Sequence, residues 1–288
     1  DVCQSDEGYL WAGTYDGLNR FDGARVKIFN RANTPALKMD AVTAVFHCSR
    51  GILWVGTLGQ GVIGFADREL TRVHPGSELH GRIVNAIIED SNHRILAGTS
   101  EGLHVFQDGQ WQAQPRSLAP RGDAAAVIAL AAGPGGITYA ATASAVYMNP
   151  GNGWAPLAIT LPKSAAITSI ASNEPGELWI GTDSAGLMHY RDGTIARSFT
   201  SANGLISNAI GDIVFDRRGR LWAGCRDGLA RIDGGQLSSY EFRGKKSHAM
   251  TVDREGSIWI GTYQHGLYRF GDGRFRSFRN KRHLREAL

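Results

Sequence analysis

One short pattern recurs along the whole chain. "LWAGT" from Leu10 returns as "LWVGT" from Leu53, "ILAGT" from Ile95, "LWIGT" from Leu178, "LWAGC" from Leu221 and "IWIGT" from Ile258, and a worn copy, "TYAAT", starts at Thr138. Measured at the glycine, the copies sit at Gly13, Gly56, Gly98, Ala141, Gly181, Gly224 and Gly261, in steps of 43, 42, 43, 40, 43 and 37 residues. A period of this size belongs to a repeat architecture, and the local pattern inside one unit decides which kind.

That local pattern has period two and is broken by turn residues, so each unit reads as four short antiparallel strands. In the sixth copy they are "AIGDIVFD", "RLWAGC", "GLARID" and "QLSSYEF". In the turn "DRRG", Asp216 can bond its own backbone while Gly219 takes positive φ; "DG" at Asp22, Asp108, Asp192 and Asp272 is the preferred two-residue hairpin. Helix periodicity is absent. The predicted fold is therefore all-β, a seven-bladed β-propeller of four-stranded antiparallel blades. The blades fall at 1–39, 40–82, 83–124, 125–165, 166–206, 207–246 and 247–279, with a C-terminal linker at 280–288. The first unit keeps only "DVCQS" of its inner strand, so residues upstream of Asp1 are expected to complete the ring.

Small residues at the "GT" position suit strands that converge on an axis, and the five tryptophans of this pattern, Trp11, Trp54, Trp179, Trp222 and Trp259, are expected to pack blade on blade. Trp111 and Trp154 precede outer strands and are the better candidates for a surface contact. The formal charge of +4 comes from basic residues scattered one or two per segment, without the stripe that phosphate binding requires, so nucleic acid is not an expected partner. The strongly apolar run from Ala124 to Ala132 is far short of the roughly 20 residues that cross a bilayer. The three cysteines form no metal spacing and are expected as free thiols, and no cofactor is expected.

The unit "D-x-x-G-x-L-W-x-G-T-x-x-G-L-x-x-[FYI]-x-x-G" resembles the two-component regulator propeller repeat, over almost all of the chain. The fourth copy departs from it, with Tyr139 for Trp and Ala141 for Gly. The resemblance implies an extracytoplasmic sensor propeller of a bacterial membrane receptor, on the periplasmic or extracellular side of the inner membrane. In that family an immunoglobulin-like domain, a membrane helix and a histidine kinase or diguanylate cyclase output follow. None of these modules is in the 288 residues, so membrane contact is expected only through flanking segments. An extracellular small molecule, glycan or peptide, a periplasmic protein, or a second receptor copy is the partner this implies.

In a propeller, the loops between second and third strands and the connections between blades share one face, where a site is expected. The expected ligand-binding residues there are Tyr15, Asp16, Glu101, Asp183, Arg226, Asp227, Tyr263 and His265 from the first set, with Asn208 and His248 from the second. The specific enzyme motifs HExxH and GxSxG, the phosphate-cradling glycine loop and the EF-hand are all missing, so no catalytic or metal residue is assigned. Two alternatives stay open. One is a lyase or hydrolase at the channel mouth using His265, Glu101 and Asp183, as the streptogramin lyases carry similar "G-x-[LI]-W" repeats. The other is a protein-binding scaffold.

Overall fold

The computed structural model describes residues 1–74, 79–114 and 126–278. The linker expected at 280–288 lies outside them. The first sheet runs β1 (Val2–Gln4), β2 (Leu10–Thr14), β3 (Gly17–Phe21) and β4 (Val26–Phe29), each strand hydrogen-bonded to the next in chain order. Its ladders are antiparallel, Val2 opposite Ala12 and Gly13 opposite Leu18. Four further four-stranded meanders of the same order follow. The first strands of successive sheets contact one another, β1 against Val42–His47, that strand against Val84–Glu89, and so on, so they form the inner wall of a propeller.

The expected seven separate blades are corrected at one place. The described residues form six sheets, five of four strands and one of six. The six-stranded sheet takes up the last two repeats, because Gln236–Val252 stays extended from the outer edge of one repeat into the inner strand of the next. After the first and fifth repeats this connection is a built turn: Asn33 Oδ1 accepts from the Asn30 N–H at 3.0 Å, and Asn203 Oδ1 accepts from the Thr200 N–H at 2.7 Å. The last repeat step, at 37 residues, is the shortest, and "EFRGKKSHAM" carries no such Asn, so the strand runs through.

Packing between repeats follows from the absence of a side chain at the "GT" glycine. A Cβ on Gly13 would lie 2.6 Å from Val42 Cγ1, one on Gly56 2.5 Å from Val84 Cγ1, and one on Gly98 2.8 Å from Val127 Cγ1. Each glycine is thus a socket for a branched side chain of the following repeat. The threonine next to it closes the adjoining turn: the hydroxyls of Thr14, Thr57, Thr99, Thr182 and Thr262 donate to the carbonyls of Gly17, Gly61, Gly102, Gly186 and Gly266 at 2.7–3.1 Å. In the sixth repeat Cys225 replaces this threonine, and there Leu221–Asp233 remains one extended element. Burial pushes the Cys225 thiol up to about 12. All three cysteines are free.

All five pattern tryptophans are buried, at 1–9% exposure. Trp111 is not a free surface residue, since it packs 5.8 Å from Trp54 and 5.3 Å from Phe106; Trp154 is half-buried against the core cluster that holds Leu103 and Tyr147. The "DG" hairpins adopt positive φ at both residues for Asp108–Gly109, Asp192–Gly193 and Asp272–Gly273. Asp22 differs, with Oδ1 accepting from the Ala24 and Arg25 N–H groups.

The ring closes by side chains between the last repeat and the first. Phe21 packs against Trp259 and Phe278, with ring centroids 5.8 and 5.2 Å away, and Arg254 spans to Asp6 at 3.0 Å. The Arg254 N–H donates to Gln4 Oε1 at 2.9 Å. Among the described residues no helix is long and apolar enough to cross a membrane.

Candidate rim site

Five of the second-to-third-strand turns are fastened in the same way to the connection that leads into their own repeat. The N–H groups of Leu58, Ser100, Asp183, Arg226 and Tyr263 donate to the carbonyls of Ala41, Ile83, Ala166, Ala209 and Lys246 at 2.9–3.1 Å. One repeated backbone bond therefore places the two expected loop sets on a single face, the rim. Side chains then vary over this constant frame.

The expected site residues divide into those held by neighbouring groups and those left to meet solvent. Asp183 Oδ1 accepts from the Ala166 N–H and from the Ser184 hydroxyl, both at 2.9 Å. Glu101 pairs with Arg82 at 3.0 Å. Asp227, with φ of 70°, accepts from the Gly244 N–H at 2.7 Å, and Asn208 Oδ1 accepts from the Ser201 N–H at 2.7 Å. His265 Nδ1 lies 2.7 Å from the Tyr263 carbonyl. Arg226 is exposed beside Lys246, its partner in the ladder. Asp16 sits at the tip of the first turn, its N–H donating to Thr14 Oγ1 at 3.3 Å.

Tyr15 and Tyr263 stand out as large apolar groups in water, 69% and 53% exposed. Leu58, 42% exposed, holds the same position after the "GT" threonine in the second repeat, and the sequence reading passed over it. Around the closed ring, the last, first and second repeats thus present Tyr263, Tyr15 and Leu58 in succession. At the same position the remaining repeats carry Ser100, Ala143, Asp183 and Arg226. Ile83, 39% exposed, extends the apolar arc into the third repeat.

His248 stands at the junction between the last and first repeats. It borders a cavity of about 230 Å³ with Ala12, Gly13, Leu267 and Phe278. Partial desolvation of the ring, with the positive charges of the amino terminus and Lys246 nearby, lowers its pKa, so the imidazole is held neutral more strongly than a free histidine. Among the described residues no group of three or more His, Cys, Asp or Glu is arranged to hold a metal ion.

Two segments, 204–227 and 241–264, match the family described as two component regulator propeller. In these two segments the chain is similar to that propeller repeat. The matched segments cover the sixth-repeat turn with Arg226 and Asp227 and the connection and turn that hold His248 and Tyr263. No curated protein matches the chain. Among solved structures it is similar to a catalytically inactive virginiamycin B lyase from Staphylococcus aureus with quinupristin, at 13% identity and a TM-score of 0.72, over 91% of this chain and 90% of that one. It is also similar to YCF48 bound to a D1 peptide, at 14% identity and a TM-score of 0.66, over 90% and 87%. An extracellular domain of a hybrid two component system from B. thetaiotaomicron aligns at 19% identity and a TM-score of 0.39, over 93% of this chain and 43% of that one. At these identities the likeness is one of fold.

Proposed function

We propose that this chain is a non-catalytic ligand-sensing or interaction propeller, carried on the extracytoplasmic side of a bacterial membrane receptor. The observation that carries this reading is the apolar arc of Tyr263, Tyr15 and Leu58 at one repeat position of three neighbouring repeats. Large exposed apolar groups that gather on one side of a polar rim mark an interaction site rather than ordinary surface. The propeller repeats add the receptor context, and the seven repeat units over six sheets supply the rigid frame. Arg226, Asp227, Asp16 and His248 complete the candidate contacts, and a small molecule, a glycan or a peptide is the ligand class that fits so mixed a rim.

The lyase or hydrolase alternative would need His265, Glu101 and Asp183 to act together. Each is already engaged by a neighbouring group, by the Tyr263 carbonyl, by Arg82 and by the Ala166 N–H with Ser184. That engagement favours binding over turnover.

The test is a thermal-shift screen of small molecules, glycans and peptides, followed by mass spectrometry of each hit after prolonged incubation with the domain. A hit recovered unchanged, whose stabilising effect disappears in Tyr15→Ala/Tyr263→Ala, supports the reading. A hit recovered cleaved or rearranged overturns it.

A further inference from the structure

The face opposite the rim holds a cleft that the repeat logic leaves unfilled. In the sixth repeat Asp216 closes the turn between first and second strands. Its Oδ1 accepts from the Arg218 and Arg220 N–H groups at 2.9 and 3.1 Å, and its Oδ2 accepts from the Arg220 guanidinium at 2.7 Å and from the Trp222 indole at 2.9 Å. Asp253 does the same for the Trp259 indole at 2.8 Å in the seventh repeat. In the second repeat Cys48 stands where Asp216 does, Ile52 where Arg220 does, and Trp54 where Trp222 does. The second repeat thus lacks both the carboxylate and its guanidinium partner. The tryptophan keeps its place, and its Nε1–H is buried with no hydrogen-bond partner.

Cys48, Ile52 and Trp54 line a cavity of about 450 Å³ between the second and third repeats, within the size range of small-molecule sites. His74 and Phe106 line it too, edge-on to Trp54 with ring centroids 6.2 and 5.0 Å away. At its mouth the Arg94 guanidinium is taken by Asp90 at 2.7 Å and His93 by Glu89 at 3.0 Å. Arg50, also at the mouth, is exposed and has no ion pair among the described residues; Asp108 is the carboxylate opposite. A buried donor left without an acceptor is costly, and a ligand oxygen can relieve it.

We propose that this cleft binds a small flat aromatic molecule bearing a carbonyl-type oxygen. The ring packs among Trp54, His74 and Phe106, and the oxygen accepts the Trp54 indole N–H in place of the carboxylate that the sixth and seventh repeats provide. The site is separate from the rim, which uses the opposite set of turns. An aromatic acid and an aromatic amide share this chemistry, and Arg50 distinguishes them.

The experiment uses the full chain and follows the indole N–H signals by proton–nitrogen correlation NMR, with the Trp54 signal assigned from Trp54→Phe. Benzamide and benzoate are the probes, with toluene as the probe that lacks an acceptor. The expected result is a saturable downfield movement of the Trp54 signal with benzamide or benzoate, and none of that kind with toluene. Cys48→Asp, which restores the internal acceptor, is expected to weaken the response about tenfold or more. If that variant does not fold, Cys48→Asp/Ile52→Arg rebuilds the whole sixth-repeat arrangement and takes its place. A loss confined to benzoate in Arg50→Ala assigns the acid; an equal response in that variant assigns the amide. Failure of both probes to move the Trp54 signal, an equal downfield movement with toluene, or undiminished binding in the acceptor-restored variant overturns the proposal.

Discussion

Asp212 Oδ2 accepts the backbone N–H of Met250 at 2.7 Å, so a side chain of the sixth repeat anchors the inner strand of the seventh. Its Oδ1 accepts the Ile213 N–H at 2.8 Å. The first repeat makes the same reach, with Asp1 Oδ2 accepting the Val45 N–H at 2.9 Å. Burial outweighs these bonds at Asp212 and pushes its pKa from 3.8 up to about 6.

The folded chain therefore holds this proton more tightly than the unfolded chain. Stability from Asp212 is fully present below about 3.8 and is lost as pH rises through about 6. Asp212→Asn is expected to remove that dependence, on the order of 3 kcal/mol between the two limits. Urea denaturation of both proteins at several pH values checks this. The wild-type minus variant difference should fall as pH rises from 4 toward 7. A difference independent of pH would contradict the buried carboxylate.

Asp216→Ala removes the indole acceptor of Trp222, the cap of the turn and the partner of Arg220 at once. Leaving a buried indole N–H and a half-buried guanidinium without a partner is expected to cost about 3 kcal/mol. Chemical denaturation monitored by tryptophan fluorescence reads it. A loss under about 1 kcal/mol would mean that water replaces the carboxylate.

Gly56 and Gly261 occupy the same repeat position in different surroundings. A Cβ on Gly56 meets Val84 at 2.5 Å, while one on Gly261 finds nothing nearer than Ala249 at 3.7 Å. Gly56→Ala is expected to destabilise by roughly 1–3 kcal/mol through overpacking. Gly261→Ala should stay within about 0.5 kcal/mol. Equal melting temperatures for the two variants would refute the socket account of repeat packing.

Tyr15→Ala/Tyr263→Ala removes two side chains that are mostly in water, 69% and 53% exposed. Stability is expected to change by no more than about 0.5 kcal/mol, and rim binding is expected to be lost. A large drop in melting temperature would instead make these tyrosines structural.

The order of strands, the turn chemistry and the blade-packing role of Trp11, Trp54, Trp179, Trp222 and Trp259 were legible in the sequence, because each depends on neighbours two to four residues away or on a pattern repeated in every unit. The count of separate sheets was not. It turned on whether the connection through Gln236–Val252 would bend, which is settled by a backbone ladder between Arg226 and Lys246, far apart along the chain. The packing of Trp111 on Trp54 and Phe106 was not legible for the same reason, since these contacts are made only across strands and repeats.

The rim was legible as a face, and its charged residues were legible as candidates. That Asp183 is engaged within its own repeat, and Glu101 and Asn208 by residues of the preceding one, while Tyr15, Tyr263 and Leu58 stand exposed in succession, needed the closed ring. The sequence alone determined the repeat, its strands and its turns, since these follow from local spacing and side-chain shape. Only the tertiary structure decided how the last repeat meets the first, which glycines are filled sockets, and that the Cys48 substitution leaves an orphaned indole beside a cavity. Those outcomes depend on which side chain of one repeat faces the next, and distance along the chain does not encode that.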